Sequence, residues 1–468
     1  MTARVDRIAP RPSGRGAAEV TIIRSRRVVT AAGIAPATIH IAGGKISRLG
    51  AWDDVPVGAQ LDDFEELAIL PGIVDTHVHL NEPGRTEWEG FATATRAAAI
   101  GGITTLVDMP LNSIPPTTTR AGLAAKRAAA AGQCAVDVGF WGGVVPGNEA
   151  ELAGLVADGV RGFKCVLVDS GVEEFGWVGE RELGIAMPIL AGLGVPLLVH
   201  AEVAGPIDLA TAQLATADPR KYATYLASRP EGAEEQAIAL VTGLCRSTGA
   251  RTHIVHHSAA SAIPMLRAAR AEGLPLTAET CPHYLHFTAE KIPDGATPFK
   301  CAPPIRDAAN REALWRALAE GVLDLVASDH SPCSPALKAI EVGDFLSAWG
   351  GVSGLQLAPM VVWTEASARG HTLVDLARWM CAAPARLAGL VGKKGALVAG
   401  ADADLLVFDD TATTIVTPDG VHHRHKVTPY AGETLRGAVH ATYLRGTRIA
   451  EGGRALDTES GVEPGVLL

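Results

Sequence analysis

The chain has 468 residues, 47% of them apolar and 20% charged, with a formal net charge of -10. That length and apolar content support a sizeable buried core, in one large domain or two to three average ones. The acidic balance disfavours nucleic acid or an anionic membrane as partner, since both call for a basic footprint; small anions bound locally stay allowed.

No stretch reaches the length of an apolar transmembrane helix, and the first residues, with Arg4, Asp6, Arg7, Arg11 and Arg15, lack the apolar core of a secretory signal, so the expected compartment is the cytoplasm. Seven cysteines form no Cys-x-x-Cys pair and leave one over in any disulfide scheme, which fits reduced, buried thiols.

In chain order, residues 1–18 are rich in Arg, Pro and Gly and are expected to form a flexible N-terminal arm. Val20-Thr21-Ile22-Ile23, Ala37-Thr38-Ile39-His40-Ile41 and Lys45-Ile46-Ser47-Arg48-Leu49, with Gly43-Gly44 between the last two, read as short strands and a hairpin turn. The far end answers in kind, with Ala403-Asp404-Leu405-Leu406-Val407-Phe408 and Val439-His440-Ala441-Thr442-Tyr443-Leu444. The expectation is one small β domain, a sandwich, built from both termini (19–68 plus 391–455), with 456–468 as a C-terminal tail.

Between them, residues 69–390 alternate short apolar runs with alanine-rich helical stretches. The runs include Ile103-Thr104-Thr105-Leu106-Val107-Asp108, Ala135-Val136-Asp137-Val138-Gly139-Phe140 and Leu323-Asp324-Leu325-Val326-Ala327-Ser328; helices are expected near 91–99, 121–131, 234–245 and 311–319. Apolar runs alternating with helices argue for a parallel sheet buried on both faces. About 320 residues with roughly eight such units predict an α/β fold of the (β/α)8 type. A doubly wound open sheet is the second choice, but no Gly-x-Gly-x-x-Gly follows the first run.

In such a barrel the C-terminal strand ends converge on one mouth, so the residues ending the runs become neighbours. The first run, Ile73-Val74-Asp75-Thr76-His77-Val78-His79, ends in two histidines two apart, which leave an extended strand on one side. Later runs end in Lys164, in His200, in His256 or His257, and in Asp329. The strand period puts His256 and His257 on opposite faces, so only one can join the set. A free lysine ammonium would repel metal ions; Lys164 contributes only as its carbamate, formed with carbon dioxide, whose two oxygens can bridge two ions. Four imidazoles, an aspartate and a carbamate suit a pair of divalent ions, zinc first, with iron, cobalt or manganese as alternatives. Two such ions can hold a shared hydroxide as nucleophile, and Asp329 can take its proton and return it to a leaving nitrogen. The implied chemistry is hydrolysis of a polarised carbonyl, an amide first.

From about Val20 to Gly453 the chain resembles the amidohydrolase superfamily, and within it the cyclic amidases. The resemblance rests on Asp75-Thr76-His77-Val78-His79, Gly162-Phe163-Lys164, Val199-His200-Ala201-Glu202, Cys281-Pro282-His283-Tyr284 and Ser328-Asp329-His330, in order. It implies His256 rather than His257 as the sixth ligand, N-carboxylation of Lys164, and a homotetramer. Dihydroorotases carry an arginine where this chain has Asn81, and losing that guanidinium removes the clamp a carboxylate needs. Dihydropyrimidinases place a tyrosine shortly after the lysine, and Cys165-Val166-Leu167-Val168-Asp169-Ser170-Gly171 has none. The stretches 79–89, 109–119 and 300–307, and Arg424-His425-Lys426-Val427-Thr428-Pro429-Tyr430, are similar to allantoinases, which implies hydrolysis of a neutral cyclic ureide. Asn81, Asn112 and Ser331 are the expected polar contacts to such a ring, with Ala302 added by its position in a loop that the family uses through its backbone. A hydantoinase-like, dihydropyrimidinase-like or dihydroorotase-like activity is the alternative, and a non-catalytic scaffold the reading from another class.

Overall fold

The computed structural model describes residues 21–457 and 464–468; the arm expected at 1–18 lies outside them. Eight parallel strands form a barrel: strand 1 is Ile73–Val78, strand 2 Ile103–Asp108, strand 3 Asp137–Phe140 continuing at Gly142–Gly143, and strand 4 Phe163–Val166. Strand 5 is Leu197–His200, strand 6 Thr252–Ile254, strand 7 Leu276–Thr280 and strand 8 Leu325–Val326. Strands 1 to 3 pair in order, and strands 4 to 8 likewise. Gly142–Gly143 pairs with strand 4, and a bridge between Val78 and His330 closes the ring.

Their apolar runs lie buried on both faces because helices cover the outside, among them Phe91–Ile100, Arg120–Ala130, Glu231–Thr248 and Ala308–Ala319. Local chemistry sets the helix ends. Thr119 and Asp307 cap by accepting from the backbone N–H of Gly122 and Asn310 at 3.0 and 2.7 Å, and Gly249 ends Glu231–Thr248 at φ +69°.

Strand 8 is shorter than its apolar run. The buried Asp75 carboxylate accepts from the Ser328 backbone N–H at 3.2 Å, drawing the chain out of the ladder just before Asp329.

Both ends of the chain contribute to one nine-stranded sheet, the small β domain. Ala68–Pro71 pairs with Leu405–Ile415, joining the N-terminal strands to the C-terminal ones over a core that includes Ile23, Ile39, Val407 and Tyr443. Buried Lys394 ties this sheet to the barrel, its Nζ reaching Asp137 of strand 3 at 2.7 Å, Asp402 at 2.9 Å and Asp404 at 2.6 Å. All seven cysteines are buried. Among the described residues no helix is long and apolar enough to cross a membrane.

Candidate active site at the barrel mouth

A cavity of about 460 Å³ opens at the C-terminal ends of the strands. Its wall contains His77, His79, Lys164, His200, His256 and Asp329, with Asn112, Ala302 and Ser331. Asn81 is not in that wall. It is buried behind it, donating Nδ2–H to the Pro332 carbonyl at 3.2 Å, with Oδ1 unpartnered. His257 is also buried away from the cavity, both ring nitrogens unpartnered, whereas His256 faces His200.

The imidazoles fall into two groups. Nε2 of His77 and of His79 lie 3.2 and 3.7 Å from Oδ1 of Asp329. Nδ1 of His200 lies 2.9 Å from Nε2 of His256, and the His77 and His256 rings, 5.2 Å apart, join the groups.

The outer nitrogens decide what the inner ones can do. Nδ1 of His77 meets the buried Glu279 carboxylate, and Nε2 of His200 meets Glu202 at 2.8 Å. A carboxylate holds the proton on the nitrogen it touches, so the lone pairs of His77 Nε2 and His200 Nδ1 point inward. For His77 the facing atom is a carboxylate oxygen of Asp329, 3.2 Å from Nε2. Burial first, then neighbouring cationic groups, pushes His79 and His256 well below the usual imidazole range, so both are neutral. Burial also lowers His200, against the pull of Glu202. These are the protonation states of metal ligands, and the converging donors of His77, His79 and Asp329, all within 4.8 Å of one another, fit a cation.

Burial lowers Lys164 to about 8, against the opposing pull of Glu279 and Asp329. Burial works to raise Glu279 and Glu202, but His77 and His253 outweigh it at Glu279, and Arg229 with His200 at Glu202, holding both carboxyls far below their ordinary range. Four of the non-glycine residues with positive φ are Asn81 (63°), Asn112 (65°), His256 (38°) and Asp329 (44°). Such backbone is costly outside glycine and gathers where geometry is imposed by a site.

Sequence reasoning missed Glu279, Glu202 and Arg229 as parts of this site. Arg229 lies in the cavity wall, and its Nε and Nη2 donate to Glu202 at 3.0 and 2.8 Å, which occupies that edge of the guanidinium. The signal for Glu279 was an acidic residue inside an otherwise buried strand, Leu276-Thr277-Ala278-Glu279-Thr280.

Fold and site together define a (β/α)8 hydrolase whose donors come from the strand ends. The chain belongs to the amidohydrolase family, whose model matches residues 68–449. It is 52% identical to the allantoinase of Streptomyces avermitilis over 92% of this chain and 96% of that protein. To the allantoinase of Saccharomyces cerevisiae it is 48% identical, over 82% and 83%. In three dimensions it is similar to the L-hydantoinase of Arthrobacter aurescens, with TM-score 0.88 and 32% identity over 93% of this chain and 97% of that one. A dihydropyrimidinase from Brevibacillus agri gives TM-score 0.87 at 28% identity over 96% and 98%.

Proposed function

We propose that this chain hydrolyses the cyclic amide of allantoin to give allantoate, with two divalent metal ions, zinc first, held by His77, His79, Lys164, His200, His256 and Asp329. The single observation that carries the reading is the convergence of the His77 and His79 ring nitrogens on Asp329, in one cavity with Lys164, His200 and His256 and with an arginine that Glu202 already holds. The 52% identity to an allantoinase supports the choice of ring. Carboxylation of Lys164 accords with its burial: a pKa near 8 leaves roughly a tenth of the amine neutral at pH 7. That neutral amine attacks carbon dioxide, an N–C bond forms and one proton goes to solvent.

When bound, the ions supply Lewis acidity, polarising the amide carbonyl and making a water acidic near neutral pH. The protein's own groups do the rest. Asp329 accepts a hydrogen bond from the Ser331 hydroxyl at 2.7 Å on Oδ1. Its carboxylate, at the cavity wall, takes the proton of the attacking water and delivers it to the ring nitrogen as the C–N bond breaks. Glu279 and Glu202 fix the tautomers of His77 and His200 throughout. Asn112, whose Nδ2 lies 3.3 Å from His79 Nδ1, and Ser331 sit at the wall where a ureide presents its C=O and N–H groups. Asn81 acts from behind, fixing the backbone at Pro332. The reading includes a homotetramer in the cytoplasm, which light scattering and fractionation test.

Stripping the protein with a chelator should abolish allantoin hydrolysis, and zinc with bicarbonate should restore it. Activity untouched by complete stripping contradicts the reading.

A further inference from the structure

The cavity wall at 346–351 is held by two lysines whose hydrogen bonds go to backbone carbonyls. Lys338, only 3% exposed, donates Nζ–H to the carbonyls of Lys300 at 3.3 Å, Trp349 at 3.0 Å and Gly351. Lys300 donates to the carbonyls of Leu346 at 3.0 Å and Ala348. Among the described residues neither ammonium lies within ion-pair distance of a carboxylate. A buried cation without a counter-charge is costly, and a neutral side chain of similar length would fill the same space more cheaply. Burial, opposed only by Cys333 and Cys301, lowers Lys338 to about 8, which reports the same cost.

The geometry gives that cation a use. A trans peptide holds its C=O and N–H on opposite sides. Lys338 lies behind the wall, not in it, and draws the Trp349 carbonyl outward, so the N–H of the same peptide, that of Gly350, is turned toward the cavity. The Cys301 carbonyl accepts from the hydroxyl of Tyr225, a residue of the cavity wall, at 2.6 Å. A Cβ on Gly350 would stand 4.0 Å from the Ala302 nitrogen, so the two peptides are neighbours.

We propose that Lys338 is a positioning residue for substrate recognition: its ammonium pulls the Trp349 and Gly351 carbonyls out of the cavity and thereby presents the Gly350 N–H to a carbonyl oxygen of the cyclic substrate. This rests on the cyclic amide reading above and deepens it. An ammonium, unlike a neutral donor, polarises each peptide it grips and strengthens the N–H at its other end.

The test uses the metal-loaded protein and allantoin. Lys338→Met should raise KM at least tenfold, keep kcat within threefold and leave metal content unchanged, while Lys338→Arg should recover most of the KM. A fall in kcat at constant KM, or loss of metal, overturns the proposal. Should Lys338→Met fail to fold, amide exchange on the metal-loaded unsubstituted protein decides it: allantoin kept saturating should slow exchange of the Gly350 amide at least tenfold, and unchanged exchange overturns the proposal. If the enzyme turns over dihydrouracil and not allantoin, the substrate assignment falls, and the same KM and exchange readouts are taken on dihydrouracil.

Discussion

Nε2 of His77 stands 3.2 Å from Oδ1 of Asp329, while Nδ1 of the same ring is fixed by Glu279 from the opposite side. One histidine thus links strands 1, 7 and 8, and its tautomer is set by a residue outside the cavity wall.

Glu279→Gln tests that link. The amide can donate as well as accept, so the His77 proton is no longer confined to Nδ1, and the ring also loses its charged anchor. Outer partners of metal-binding histidines contribute about 10- to 100-fold in affinity. Competition with a chelating dye should show a loss of that size for one of the two ions; wild-type affinity would show that Glu279 does not act through His77.

Lys164→Ala should abolish metal binding and hydrolysis, with partial rescue by short carboxylic acids that place an oxygen pair in the vacated space. In the unsubstituted protein the carbamate forms from the neutral amine, so the pH dependence has a definite sign. With Lys164 lowered to about 8, loading of the metal-free protein at constant dissolved carbon dioxide should speed up about tenfold per pH unit below 8 and level off above it. A rate independent of pH between 6 and 8 would remove the carbamate from the account.

Lys394→Met addresses the joint between the two parts of the fold. It leaves Asp404 without its cation, and Asp137 and Asp402 with only Arg445 and Lys45 respectively. Removing one partner of a buried ionic cluster costs about 3 kcal/mol or more. Denaturant titration should show this loss, with KM for the substrate unchanged at 25 °C because the cluster lies outside the cavity wall.

The strand-end donors were legible because a barrel makes chain order predict convergence: His77, His79, Lys164, His200, His256 and Asp329 all reach one cavity. Strand 2 was read to the residue, since Ile103–Asp108 is β-branched or apolar up to its closing aspartate. What stayed hidden depends on contacts between distant segments. Glu279 looks like any strand carboxylate until strand 7 is laid beside His77 and His253. Asn81 was read as a ring contact from its place after His79, but its left-handed backbone turns the side chain to Pro332, behind the wall. Arg229 lies on no strand, and only the fold shows that Glu202 holds it.

The central claim is the substrate, and one measurement reaches it most directly: kcat/KM of the zinc-loaded protein on allantoin, hydantoin, dihydrouracil and dihydroorotate side by side. The account expects allantoin to lead by at least tenfold and dihydroorotate to be the poorest, because the Nε–Nη2 edge of Arg229 is already bound to Glu202 and cannot clamp its carboxylate. Preference for any of the other three rings would contradict it.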